Sequence, residues 1–277
     1  MWQPPDRDQY LVIVVAHKWE AEPVSKILGM QYAGVLAGLK CYSDGGSTIL
    51  TVCGIGKNSA SSAVDKLARC LTERPVALSW LNMGICGHAS HSLGSGFLAN
   101  RVRCRQSGEV LYPSQFFYGL ESSGVETVAE PELAYPDDVL YDMEAQGFLS
   151  AALAHSPAEL VSVYKIVSDN LANPPGQVTA QFVESIMGQR GDEVRLLAEK
   201  ALDLAAEFAP QVCDPAGFTL LRNRHRFTRT ETHQLRELLL KAQCIGLELP
   251  QALQSLPESQ KGKCLDLLRC LVKETGA

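Results

Sequence analysis

The chain has 277 residues, 46% hydrophobic, 20% charged and 7% aromatic, which suffices for a substantial core without disulfides or metal. Its 25 Lys and Arg against 31 Asp and Glu give a net charge of −6, a balance that argues against coating nucleic acid or an anionic membrane. Apolar runs such as 11–16 are strand-length, short of the roughly 20 residues of a membrane span, and the first eight residues predict no secretory leader.

The run Leu11-Val12-Ile13-Val14-Val15-Ala16 is rich in β-branched residues and reads as a strand buried on both faces. Glu20-Ala21-Glu22-Pro23 then leads into Val24, Ile27 and Leu28, a helix face with proline near its start. Residues 34–51 read as two strands joined by the turn-rich Ser43-Asp44-Gly45-Gly46-Ser47. Residues 49–53 run into Gly54-Ile55-Gly56-Lys57-Asn58, and 59–71 form a helix with small and apolar residues on one side. That glycine turn is not a nucleotide-triphosphate loop, because the G-x-x-x-x-G-K-[ST] spacing is missing. It reads as a tight strand-to-helix turn.

Residues 76–83 give a buried strand ending in Gly84-Ile85-Cys86-Gly87, and 96–102 open another. The stretch 104–140 is turn-heavy and assigns to no element. Beyond it, 141–153 reads as a strand end into a helix, 160–168 as a strand, and 178–208 as one or two long helices. This alternation predicts an α/β domain over 1–212, with a central mixed, mostly parallel sheet flanked by helices. A helical C-terminal appendage follows over 213–277, with a helix at 230–243 started by Thr230-Glu231-Thr232-His233 and one or two more over 250–275.

Nine cysteines without a C-x-x-C pair, most of them in apolar surroundings (Cys53, Cys70, Cys86, Cys264, Cys270), are read as reduced core thiols of a cytoplasmic protein. His88 and His91 have no carboxylate or thiol beside them to complete a metal site, so no metal and no cofactor are expected. The arginine-rich stretch 222–229 reads as a solvated loop or a contact with acidic protein surface.

Four segments, in this order, resemble the nucleoside phosphorylase superfamily, and most of all its hydrolytic branch, the 5′-methylthioadenosine/S-adenosylhomocysteine nucleosidases. They are Ala16-His17-Lys18-Trp19-Glu20-Ala21; Gly54-Ile55-Gly56-Lys57; Asn82-Met83-Gly84-Ile85-Cys86-Gly87 with Gly94-Ser95-Gly96; and Asp142-Met143-Glu144-Ala145 with Ile166-Val167-Ser168-Asp169-Asn170. The resemblance spans about 10–210 and leaves the tail uncovered. It implies a three-layer fold and cleavage of a purine nucleoside or thionucleoside at its N-glycosidic bond, through an oxocarbenium-like sugar.

By that resemblance Asp169 is the general acid for the base, Glu20 activates water, and Glu144 grips the ribose. Met143, Gly87, Cys86 and Asn170 contribute to substrate binding. Each acid also has a plainer reading: Asp169 as a cap on the following loop, Glu144 as a helix-start acid, Glu20 as a solvated first-turn acid. Phosphorylases of the superfamily carry Arg and Ser where this chain has Asn82 and Ile85, which favours water over phosphate as nucleophile. The short stretch 126–131 lacks the branch's adenine-reading pattern, so the base stays open, with Phe116, Phe117 and Tyr118 as candidate stacking residues. Phosphorolysis and a non-catalytic nucleoside-binding module are the alternatives. The resemblance also implies a homo-oligomer, dimeric or trimer-based.

Overall fold

The computed structural model describes residues 2–72, 75–115, 117, 119–247, 253, 257 and 260–275. The chain divides into two compact units, 1–209 and 210–277. In the first unit the strands are β1 (Gln9–Val15), β2 (Gln31–Leu36), β3 (Leu39–Ser43), β4 (Thr48–Val52), β5 (Ala77–Gly87), β6 (Gly96–Cys104), β7 (Val110–Leu111), β8 (Ser122–Thr127), β9 (Leu140–Asp142) and β10 (Val161–Asp169). They form one mixed sheet around which α1 (Lys18–Ile27), α2 (Lys57–Leu71), α3 (Ala145–Leu153), α4 (Ala180–Gln189) and α5 (Gly191–Val212) are arranged.

The period-two alternation of β1 explains why both sheet faces are covered. Tyr10, Val12 and Val14 pack with Ala60, Val64 and Leu67 of α2 and Phe148 of α3. Leu11, Ile13 and Val15 turn the other way, into a cluster with Ala21 and Val24 of α1, Val183 and Met187 of α4, and Leu197 of α5. Each fully buried aliphatic side chain of this kind contributes roughly 1.5–3 kcal/mol.

β1 runs parallel to both β4 and β5, and β10 parallel to β5. Because β10 also pairs with β6, β6 with β8, β8 with β9 and β9 with β5, these five strands close a circuit. Among the described pairings five are parallel and five antiparallel, so the sheet is mixed rather than mostly parallel, with β1, β4, β5 and β10 parallel at its centre. The carboxyl ends of the parallel strands β1, β5 and β10 lie on one side, with the short antiparallel β9 beside the end of β5, the place where α/β sheets form their ligand crevice.

Two local readings change. Residues 31–52 hold three strands rather than two, because Ala37 (φ 52°) and Gly38 (φ 82°) make a tight turn between β2 and β3. An alanine at a left-handed position hides that turn from sequence inspection. Within 104–140 lies β8, whose Ser-Ser-Gly start conceals a strand.

The second unit contains α6 (Phe218–Arg224), α7 (Arg229–Cys244) and α8 (Lys261–Thr275), with a core of its own around Phe218, Leu221, Leu235, Leu239, Leu253 and Cys264. The capping box of α7 sits two residues before the expected start: Thr228 accepts from the backbone of Glu231, and Glu231 accepts from the backbone of Thr228. Within the arginine-rich stretch, Arg222 lies over the ring of Phe218 at 5.6 Å. Among the described residues no helix is long and apolar enough to cross a membrane, and all nine cysteines are free.

Helices α2 and α3 touch at Gly147, where an added Cβ would lie 2.0 Å from the carbonyl oxygen of Lys57. Gly147→Ala therefore forces the helices apart, and a denaturant melt is expected to show a loss of about 1–3 kcal/mol.

Candidate active site

A cavity of about 350 Å³ opens where these strand ends meet. Glu20, Glu144 and Asp169 all line it, together with Met143, Cys86 and Gly87.

Glu20 stands in the first turn of α1, within a capping box formed with His17, yet it is only 4% exposed and so is no solvated acid. Its Oε2 accepts the N–H groups of Ala16 and His17, each at 2.8 Å, and its Oε1 accepts the N–H of Ile85 at 2.9 Å. The side chain thereby ties the end of β1 to the end of β5. Gly84 permits this: a Cβ there would lie 2.7 Å from Oε1.

Glu144 is the N-cap residue of α3 but makes no capping bond. That work falls to Asp142, whose Oδ2 accepts from the N–H groups of Glu144 (3.2 Å) and Ala145 (2.7 Å), and whose Oδ1 accepts from the hydroxyl of Thr127 (2.7 Å). Glu144 is left facing the cavity, with Oε1 accepting from Gly56 N–H at 2.7 Å. Gly56 (φ 96°) belongs to the glycine turn after β4, so that turn is part of the site, and Ile55 lines the cavity beside it. Burial lifts the Glu144 carboxyl to about 7, with Asp142 adding to the rise and Lys165 opposing it.

Asp169 ends β10 and is bound at both oxygens, by the hydroxyl of Ser168 at Oδ1 and that of Tyr135 at Oδ2. Cys86 presents an S–H group, since burial pushes its thiol well up. Asn170 stands apart from the lining: its amide donates to His91 O at 3.0 Å and its Oδ1 accepts from the N–H groups of Ala172 and Asn173, which commits it to shaping the loop.

Two residues of this region escape sequence inspection. Lys165 is buried in the middle of β10, 1% exposed, with Nζ 2.8 Å from Asp142 Oδ2. Burial pulls its pKa down, but Asp142, then Glu144 and Glu20, overcome that and hold it above the ordinary lysine value. A charged residue inside an otherwise apolar strand was the available signal, since a buried lysine requires an acidic partner. Tyr135 comes from the stretch that assigned to no element, and no pattern in the sequence marks it.

The aromatic expectation is corrected. Phe117 packs in the core with Leu11 and Ile13, while Phe116 and Tyr118 lie outside the described residues. The aromatic rings lining the cavity include His17, Trp19 and Tyr141. Asn82 does not line it either: it is buried beneath, donating to Val14 O at 3.0 Å. The described lining residues include Glu20, Glu132, Asp142, Glu144 and Asp169, and no Arg or Lys.

His88 and His91 stack with centroids 3.9 Å apart, and His88 Nδ1 accepts two backbone N–H groups. Burial, reinforced by His91, lowers the pKa of His88.

Removing the ammonium strands several buried carboxyls. Lys165→Met is expected to cost about 3–5 kcal/mol in unfolding free energy, and adding Asp142→Asn to it should recover part of that loss.

No protein-family model matches the chain, and no curated protein sequence matches it. Solved structures do match its fold. The 5′-methylthioadenosine/S-adenosylhomocysteine nucleosidase of Helicobacter pylori superposes with a TM-score of 0.59 at 12% identity, over 70% of this chain and 100% of its own. Futalosine hydrolase of the same organism gives 0.59 at 12% identity, over 70% and 98%. The 5′-methylthioadenosine nucleosidase of Arabidopsis thaliana gives 0.53 at 16% identity, over 74% and 97%. At such identities the likeness shows the fold alone: this chain has the fold of these nucleosidases and of futalosine hydrolase.

Proposed function

We propose that the protein hydrolyses the N-glycosidic bond of a purine nucleoside or thionucleoside. The observation that carries this reading is the convergence of Glu20, Glu144 and Asp169, from three separate stretches of chain, on one cavity. Cleavage needs a proton on the departing base, a grip on the ribose as it flattens, and a nucleophile on the opposite face. Asp169 supplies the proton. Glu144, freed from capping by Asp142, accepts from the ribose hydroxyls with charge-assisted strength. Glu20 is fixed by three backbone N–H groups, and a remaining lone pair on Oε1, which takes only one of them, orients water toward C1′. Met143 and Cys86 provide apolar and thiol surface against the substrate.

The charge of the lining favours water over phosphate. Five carboxyl groups line the cavity and no described lining residue is Arg or Lys, so a phosphate dianion lacks the cationic donors that phosphorolysis needs. The reading extends to a homo-oligomer, which the resemblance implies, and to the reducing cytoplasm, which suits nine free thiols.

The direct assay follows free base from a panel of purine nucleosides with and without phosphate. Release independent of phosphate is expected; strict dependence on phosphate would make the protein a phosphorylase, and tight binding without turnover would make it a binding module. Asp169→Asn and Glu20→Gln should each lower kcat by about 10²–10⁴-fold with the fold intact. Full activity in either variant removes that residue from the mechanism.

A pH profile tests Glu144. Its carboxyl pKa is raised to about 7, so the ionised form that grips ribose accumulates as pH rises through that value. We expect kcat/KM to climb along an acidic limb centred near pH 7, and Glu144→Gln to flatten that limb as well as lower the rate.

A further inference from the structure

The proposed roles account for most of a purine nucleoside: N7 at Asp169, the 2′ and 3′ hydroxyls at Glu144, and C1′ with its water at Glu20. One polar atom of the sugar is left over, the substituent on C5′. One imidazole of the lining, that of His17, is also left over. We propose that His17 sets specificity at that position, its Nε2–H donating to an oxygen on C5′, so that the site selects 5′-hydroxyl nucleosides over 5′-thionucleosides. The inference rests on the reading of the cavity as a purine nucleoside site.

The lining is rich in acceptors, with five carboxyl groups and neither Arg nor Lys. Most of its donors are engaged or weak. The Ser168 hydroxyl bonds to Asp169, the Tyr141 hydroxyl donates to Asp137 O at 3.3 Å, and the Cys86 thiol is a poor donor. His17 is different. As the N-cap residue of α1 it accepts the N–H of Trp19 on Nδ1 at 3.2 Å. An imidazole that accepts at Nδ1 carries its proton on Nε2, so the bond to the helix selects a donor tautomer. Among the described residues no acceptor takes that Nε2–H, although His17 belongs to the cavity wall.

Its place and its rigidity suit the C5′ end. The His17 backbone N–H donates to Oε2 of Glu20 at 2.8 Å, so the residue stands beside the carboxylate assigned to the sugar, whereas Asp169, assigned to the base, comes from β10. The capping bond holds one edge of the ring, and Trp19 packs against it in a T-shaped contact with centroids 4.6 Å apart. A donor held this firmly discriminates better than one free to turn away. A hydroxyl oxygen on C5′ is a full acceptor, whereas a thioether sulfur is a weak one. A 5′-thio substituent would displace water from the Nε2–H and return little in exchange.

The test measures kcat/KM for adenosine, 5′-deoxyadenosine and 5′-methylthioadenosine, and for inosine and 5′-deoxyinosine, with the full chain and with His17→Ser. Serine keeps an N-cap acceptor but not the reach, so the variant separates the cap from the contact. The wild type should favour the 5′-hydroxyl nucleosides by at least about tenfold. His17→Ser should bring the ratio close to one, mainly by slowing the hydroxyl substrates. A wild-type preference for the methylthio substrate overturns the proposal. So does an oxygen preference that His17→Ser leaves unmoved, since a merely structural His17 would depress all the substrates alike. Should His17→Ser not fold, His17→Asn, another capping residue of shorter reach, takes its place. The two readings fail differently: if none of these nucleosides binds or is cleaved, the nucleosidase reading falls and takes this one with it. If they are cleaved without regard to the C5′ substituent, only the specificity assignment falls.

Discussion

Several carboxyls gathered at one dry end of a sheet repel one another and resist desolvation, and a site built from them needs a countercharge. Lys165 provides it from within β10, its ammonium 2.8 Å from Asp142. Three acids act on that ammonium, with Asp142 the strongest influence and Glu144 and Glu20 following. The consequences run outward from this pair. Asp142 takes up the free N–H groups at the start of α3, so the next acid, Glu144, is spared for the cavity. A buried ion pair adds little net stability by itself, but losing one partner is costly, and the site inherits that rigidity.

Close backbone approach does the rest. Glu20 reaches across to Ile85 over Gly84, Tyr135 lies against Gly87, and Gly147 lets α3 touch the start of α2, where Gly56 holds Glu144. Each contact leaves no room for a Cβ or depends on a backbone that side chains disfavour. The fold supplies strand ends; the glycines let side chains lie over them. The helices of the second unit enclose a core of their own.

Much of the architecture was legible because buried parallel strands write themselves as continuous β-branched runs, as in β1 and β10, and amphipathic helices as three-to-four spacing, as in α2. The acids at positions 20, 144 and 169 stand after strands, but it is the family resemblance, not that placement, that singles them out. What stayed hidden has physical causes. Strand β8 begins with polar residues and glycine because its position in the closed circuit of strands, not its own hydrophobicity, holds it in place. Lys165 looked like one charge in an apolar run, and its meaning lies in partners distant in sequence. Asn170 stands next to the acid in sequence yet serves the loop, since adjacent residues at a strand end point in different directions. Tyr135 reaches Asp169 through an irregular loop, where neither period nor propensity gives warning.

The claim beneath all of this is that three carboxyls address a single ribose, and a crystal structure with an uncleavable purine nucleoside analogue tests it most directly. The account predicts Glu144 bonded to the sugar hydroxyls, Asp169 beside N7, and Glu20 on the sugar face away from the base with water between. An analogue bound with its sugar remote from these side chains, or bound at another surface, would contradict it.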